Sequence, residues 1–154
     1  MSLERAKNYL KQYQLDQQIL VFDGSSATVE EAANQLHCKP SSIVKTLAFL
    51  INQKPIVILM AGNVKCDNTK FRNTFHEKAK MIPYQEVEPL IGHSPGGVCP
   101  FGIKEDVSVY FDKSIKQNTK IYPACGSDNS AIGLTYQQLE EILPNHEWIE
   151  VSKS

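Results

Sequence analysis

The sequence predicts one α+β, or mixed α/β, domain built around a curved sheet. Three observations lead there. Apolar runs of strand length occur both as adjacent pairs, Ile43 to Ile51 then Pro55 to Ala61, and between helical segments. Nothing repeats at a fixed period and no low-complexity linker divides the 154 residues, so a single domain over 1–154 is expected. The Gly-x-Gly-x-x-Gly and Walker patterns of doubly wound nucleotide-binding folds are absent.

Each element follows from local signals. Ser2 can cap a first helix with Leu3, Ala6, Leu10 and Tyr13 on one face. Ile19 to Phe22 reads as a short strand ending at the turn Asp23-Gly24-Ser25-Ser26. Thr28-Val29-Glu30-Glu31 is a capping box. It opens a helix bearing Val29, Ala32, Ala33 and Leu36, which must stop before Pro40. Ile43 to Ile51 and Pro55 to Ala61 are strands joined by a link short enough for a hairpin, and Gly62-Asn63 ends the second. Asp67 or Asn68 can cap a short helix carrying Phe71 and Phe75. Residues 84–91 have helical character that Pro89 weakens. Val107, Val109 and Phe111 alternate with Ser108 and Tyr110, which predicts a strand with one buried face. Ile121 to Ala124 and Ala131 to Leu134 follow as strands. Thr135-Tyr136-Gln137-Gln138 is a second capping box, starting a helix with Leu139, Ile142 and Leu143 inward and ending at Pro144-Asn145. Trp148 to Val151 adds an edge strand.

Bulk composition narrows the function classes. A hydrophobic share of 42% supplies a core, and no apolar run of about 18 residues predicts a membrane span. The first residues lack the layout of a signal peptide, so a cytoplasmic protein is expected. Cys38, Cys66, Cys99 and Cys125 form no Cys-x-x-Cys pair and have no histidine at zinc-ligand spacing. Free thiols, no metal and no cofactor are expected. A net charge of −1 excludes a polycation, yet Lys65, Lys70, Arg72, Lys78 and Lys80 cluster, while Glu140, Glu141, Glu147 and Glu150 gather near the end. The basic cluster is either a solvated face or a contact for a phosphate backbone.

Lys45 stands out. It shares a strand face with Ile43, Leu47, Phe49 and Ile51. An ammonium buried there without a partner costs several kcal/mol. Either it snorkels from the strand start, or it has an electrostatic task on a phosphate or carbonyl. The second feature is the run from Gly92 to Gly102, with four glycines and two prolines in eleven residues. Such a loop can aim backbone N–H groups at one point, as an oxyanion hole requires. Cys99 within it invites a nucleophile reading, which needs a base within reach; otherwise the thiol lines or underlies a pocket. His93 is a candidate lining residue, whereas His37, His76 and His146 read as surface residues. Gly126-Ser127-Asp128-Asn129 is a turn that could also offer polar groups to a ligand.

These pieces in this order resemble the YbaK/EbsC family, the prolyl-tRNA synthetase-associated, insertion-domain-like proteins. The resemblance rests on Ile43-Val44-Lys45-Thr46-Leu47, Gly62-Asn63, the Gly-x-x-x-Pro-type loop Gly96-Gly97-Val98-Cys99-Pro100-Phe101-Gly102, and Gly126-Ser127 before a capped helix. It implies a partly barrel-like mixed sheet flanked by helices. It also implies a trans-editing deacylase that hydrolyses the ester of a mischarged tRNA, with proline tRNA bearing cysteine or alanine as the expected substrate. Lys45, Gly97, Pro100 and Gly102 take the catalytic positions. Thr46, Gly62, Asn63, His93, Gly96, Val98, Cys99, Phe101, Gly126 and Ser127 take the substrate-binding ones. The alanine-editing branch carries Asn after the lysine, so Thr46 leans toward the cysteine-editing or broader branches. The implied partners are the aminoacylated tRNA acceptor end and an aminoacyl-tRNA synthetase. Two other functions compete: a non-catalytic module that holds the acceptor end or a synthetase, and a small-molecule hydrolase or thioesterase acting through Cys99.

Overall fold

A computed structural model describes residues 2–154. At its centre lies the hairpin of β2 (Ile43–Ile51) and β3 (Lys54–Ala61), which comes after helix α1 (Ser2–Lys11), strand β1 (Leu20–Val21) and helix α2 (Val29–Leu36). Asn52 and Gln53 turn the hairpin with φ of 51° and 65°, the two positive values a tight primed turn needs. The short strand β4 (Lys65–Cys66) precedes helices α3 (Asn68–Phe75) and α4 (Tyr84–Ile91). The rest of the chain comprises β5 (Ser108–Asp112), β6 (Lys120–Pro123), β7 (Ser130–Ala131), β8 (Leu134–Thr135), α5 (Tyr136–Ile142), β9 (His146–Ile149) and β10 (Ser152–Lys153).

The main sheet runs β8-β6-β2-β3-β5-β9 and curls as a half-barrel. It is mixed, because β2 pairs antiparallel with β3 while β2–β6, β3–β5 and β5–β9 are parallel. β1–β7 and β4–β10 are separate antiparallel pairs. β3 is buried from Pro55 to Ala61 because both its faces are covered. Val57 and Leu59 face the larger core with Leu10, Phe101, Phe111, Ile121 and Leu139. Ile56, Ile58 and Met60 face a second core with Phe49, Phe71 and Val151.

Both capping boxes form as the sequence predicts. The Thr28 and Thr135 side chains accept from the Glu31 and Gln138 N–H groups, and both acidic or amide side chains bond back. Asp67 caps α3, accepting from the Thr69 and Lys70 N–H groups. The Ser2 side chain, on which the first capping expectation rests, lies outside the described residues.

Several expectations change. Tyr13 lies beyond the end of α1, stacked near Tyr9 with ring centroids 5.7 Å apart. The Ile19 to Phe22 strand shortens to two residues, Leu20 and Val21, that are 44% and 61% exposed, because its partner β7 is an outlying two-residue piece. The Ala131 to Leu134 strand splits into β7 and β8, which pair with different neighbours. Residues 84–91 form a helix despite Pro89. β5 is not open on one face: Tyr110 packs edge-on against Phe75 at 5.1 Å, since α3 covers that side. The final strand starts earlier, at His146, and β10 then crosses to β4. His146 is not a surface residue, because its ring stacks on Phe111 at 4.3 Å. The basic and acidic clusters meet through this crossing. Lys70 donates to the Ser152 carbonyl at 2.7 Å and lies 3.7 Å from Glu150.

Candidate active site

The cavity that matters opens where β2 and β6 part. The two strands pair only at Ile43–Tyr122 and Val44–Pro123. Further along the same edge of β2, the Leu50 N–H donates to the Lys80 carbonyl (2.9 Å) and the Ala48 carbonyl accepts from the Ile82 N–H (3.1 Å). Between these pairings, residues 45–47 border a cavity of about 220 Å³. Backbone groups alternate sides along an antiparallel strand. Thr46 therefore aims its N–H and C=O the same way as Ala48 and Leu50, off this edge toward the opening.

Four segments close the other sides: Ser26–Val29 before and into α2, Pro95–Val98 of the glycine loop, Tyr122 and Ala124, and Ser127–Ala131. Pairing of β1 with β7, extended by Phe22 N–H to Asn129 C=O (2.8 Å) and Ser26 N–H to Asp128 C=O (2.6 Å), brings the first and last of these together. The fold thus places Lys45, Thr46, Gly96, Val98 and Ser127 around one space.

Lys45 is half-buried, and its ammonium donates to the Val64 carbonyl. Burial, with the nearby Lys65 charge as a second cause, pushes its pKa below the ordinary lysine value. Gly62 and Asn63 support this arrangement from behind rather than lining the cavity. The Gly62 N–H donates to the Ile43 carbonyl at 2.8 Å, and a Cβ there would meet Val29 Cγ1 at 2.6 Å. Asn63 exchanges two amide hydrogen bonds with Gln117, at 3.1 and 3.2 Å. Gly97 is a packing glycine, because a Cβ would stand 2.4 Å from the Gly126 carbonyl oxygen. Its absence lets the two loops touch, and Gly126 takes φ +90° before Ser127.

The glycine loop divides in function. Residues 95–98 reach the cavity, but Cys99 and Phe101 turn into the main core and have no exposed surface. Pro100 faces a different hollow, with Tyr9, Val107 and Leu143. Gly102 (φ +74°) lies under α1, where its carbonyl accepts from Arg5 Nε at 2.8 Å. His93, also fully buried, donates from Nε2 to the Phe101 carbonyl at 2.6 Å. Pro100, Gly102, His93, Cys99 and Phe101 are therefore not at the cavity.

This geometry removes the thiol chemistry. Cys99 Sγ lies 3.5 Å from His93 Nε2, but that nitrogen carries the proton given to Phe101 and has no lone pair for a thiol. Burial pushes the Cys99 thiol up to about 12, far from the thiolate a nucleophile needs. Among the described residues, no three of His, Cys, Asp and Glu converge to hold a metal ion, and all four cysteines are free. No helix among them is long and apolar enough to cross a membrane.

Sequence reasoning missed Ser26, Thr28, Tyr122, Ala124, Ser130 and Ala131 as lining residues. Thr28 and Ser26 carry only cap and turn signals, and nothing local predicts that residues a hundred positions apart share a wall.

Comparison with known proteins gives a consistent picture. Residues 23–142 match the aminoacyl-tRNA editing domain family. An uncharacterized protein of Bacillus subtilis, YwhH, is 43% identical over 154 residues, covering 99% of this chain and 98% of its own. A proline–tRNA ligase of Limosilactobacillus fermentum is 34% identical over 95 residues, which are 58% of this chain and 17% of the ligase. Among solved structures, a candidate trans-editing enzyme for prolyl-tRNA synthetase superposes with TM-score 0.89 at 21% identity, covering 99% of this chain and 98% of that one.

Proposed function

Because this chain belongs to the aminoacyl-tRNA editing domain family, we propose that it is a trans-editing hydrolase that deacylates mischarged aminoacyl-tRNA. The observation that carries this reading is the single cavity that gathers Lys45, the β2 edge at Thr46 and the 95–98 loop. Its volume of about 220 Å³ suits a small acyl group. Similarity to part of a proline–tRNA ligase supports proline tRNA bearing a small non-cognate residue, such as cysteine or alanine, as the substrate. The site of action is then the cytoplasm, with a synthetase as a possible docking partner.

The proposed chemistry is water attack on the acyl carbonyl carbon. The bond from that carbon to the ribose oxygen breaks, and the proton released by the water passes to the leaving oxygen. The products are a free amino acid and a tRNA with its hydroxyl restored. The ribose hydroxyl beside the ester positions the water, so no side-chain base is required. Gly97 spends its N–H on the Ser94 carbonyl at 2.9 Å. The proposed donors to the developing oxyanion are therefore the N–H groups of Gly96 and Val98 beside it. Lys45 holds the terminal phosphate or orients the ester, and its charge is felt strongly because the strand wall excludes water.

The test is a deacylation panel on proline tRNA charged with cysteine, alanine, serine or proline. Release of one non-cognate amino acid, with prolyl-tRNA spared, is expected. Binding of the charged tRNA without release from any of them would replace this reading with the non-catalytic acceptor-end module.

A further inference from the structure

From the order of protons along one hydrogen-bonded chain, we infer that Ser127 and Ser130 form an acceptor subsite for the α-ammonium group of the bound aminoacyl ester. The inference rests on the function proposed above and assigns the direction in which the substrate lies.

The chain of bonds starts at a carbonyl, which can only accept. Asn129 Nδ2 donates to the Phe22 carbonyl at 3.1 Å, which fixes the amide orientation. Asn129 Oδ1 therefore points the other way and accepts from Ser127 Oγ at 2.9 Å. A serine hydroxyl has one proton. Ser127, having spent its proton on Asn129, must accept in its 2.6 Å contact with Ser130 Oγ. Ser130 in turn has spent its proton on Ser127. Both hydroxyls line the cavity, and both can offer it only lone pairs. Ser26, on the adjoining wall, is likewise committed, donating from Oγ to the Asp128 carbonyl at 3.3 Å.

The wider charge pattern agrees. A hollow that shares Gly96 and Ser127 with the cavity contains Glu88 and Asp128. Lys45, with Lys65 near it, lies on the other wall. One side of the cavity is thus rich in acceptors and flanked by carboxylates, and the other is cationic. An aminoacyl ester has the matching polarity, with an ammonium at one end and a phosphodiester beyond the other. Ser130 is only 1% exposed. A hydroxyl oxygen so buried, with its proton already placed, gains from a ligand donor that replaces water.

The experiment uses stable amide analogues of the charged tRNA end, 3′-aminoacylamino-adenosines carrying alanyl, cysteinyl or seryl groups, each beside its des-amino counterpart. Calorimetry on the full chain is expected to show the amino form of at least one pair binding tenfold or more tightly than the des-amino form. In Ser127→Ala, and in Ser127→Ala/Ser130→Ala, that advantage is expected to shrink to about twofold. The wild-type comparison stands even where a variant does not fold. Equal binding of amino and des-amino forms, or an unchanged advantage in the folded variants, overturns the ammonium subsite alone. Binding of no analogue in either form overturns it together with the aminoacyl-ester reading of the cavity.

Discussion

At the scale of single residues, Lys45 bears the largest electrostatic cost in the site. Burial and then Lys65 lower its pKa from the ordinary 10.5. The unfolded chain holds the lysine proton up to that ordinary value, while the folded chain gives it up earlier. Between the lowered value and 10.5 the unfolded state binds more protons, so folded stability rises with pH across that window. Lys45→Met removes this contribution. Urea midpoints are expected to show wild type gaining on Lys45→Met as pH climbs toward 10.5; a constant difference would mean that the lysine is not desolvated. Lys45 was legible in the sequence because an ammonium among strand-face apolar residues breaks the pattern. Its bond to the Val64 carbonyl was not, since that partner depends on how the chain turns after β3. Asp112 is the reverse case, an ordinary strand-end acid in sequence that is fully buried in the fold. It accepts from the Val151 N–H (2.8 Å), Ser152 Oγ (2.7 Å) and the Ser114 N–H (3.0 Å), so it clasps the C-terminal segment. Asp112→Ala is expected to cost about 3 kcal/mol in chemical denaturation, the range for stranding donors of a charged acceptor.

At the scale of elements, the site depends on two loops that touch through glycine. Gly97→Ala would place a Cβ 2.4 Å from the Gly126 oxygen, and backbone cannot yield as a side chain does. The expected cost is about 2 kcal/mol. Gly96→Ala, whose nearest neighbour would be Asp128 Cβ at 3.9 Å, should change stability by less than about 0.5 kcal/mol. Thermal unfolding of the pair tests whether the contact is structural; equal effects would contradict it. The glycine loop was readable as a loop, but its division at Cys99 was not. Burial of Cys99 and Phe101 depends on α1 arriving from the other end of the chain, where Arg5 bonds to Gly102 across 97 positions. Strong local patterns survived into the structure: the hairpin of β2 and β3, both capping boxes and the Asp67 cap. Weak ones near β7 and β8 did not, because two-residue strands are placed by their partners rather than by their own periodicity.

At the scale of the whole molecule, the half-barrel sheet and its flanking helices leave one strand edge free beside a small polar cavity, and the family assignment fits that architecture. The central claim is that ester hydrolysis takes place at the Lys45 cavity and not at the thiol of Cys99. The most direct test is single-turnover deacylation of the mischarged proline tRNA found in the panel, comparing wild type, Lys45→Ala and Cys99→Ala. The account predicts that Lys45→Ala loses about a hundredfold in rate, the scale of removing one preorganised electrostatic contact, while Cys99→Ala stays within a few-fold of wild type. Full activity in Lys45→Ala, or its abolition in a folded Cys99→Ala, would contradict it.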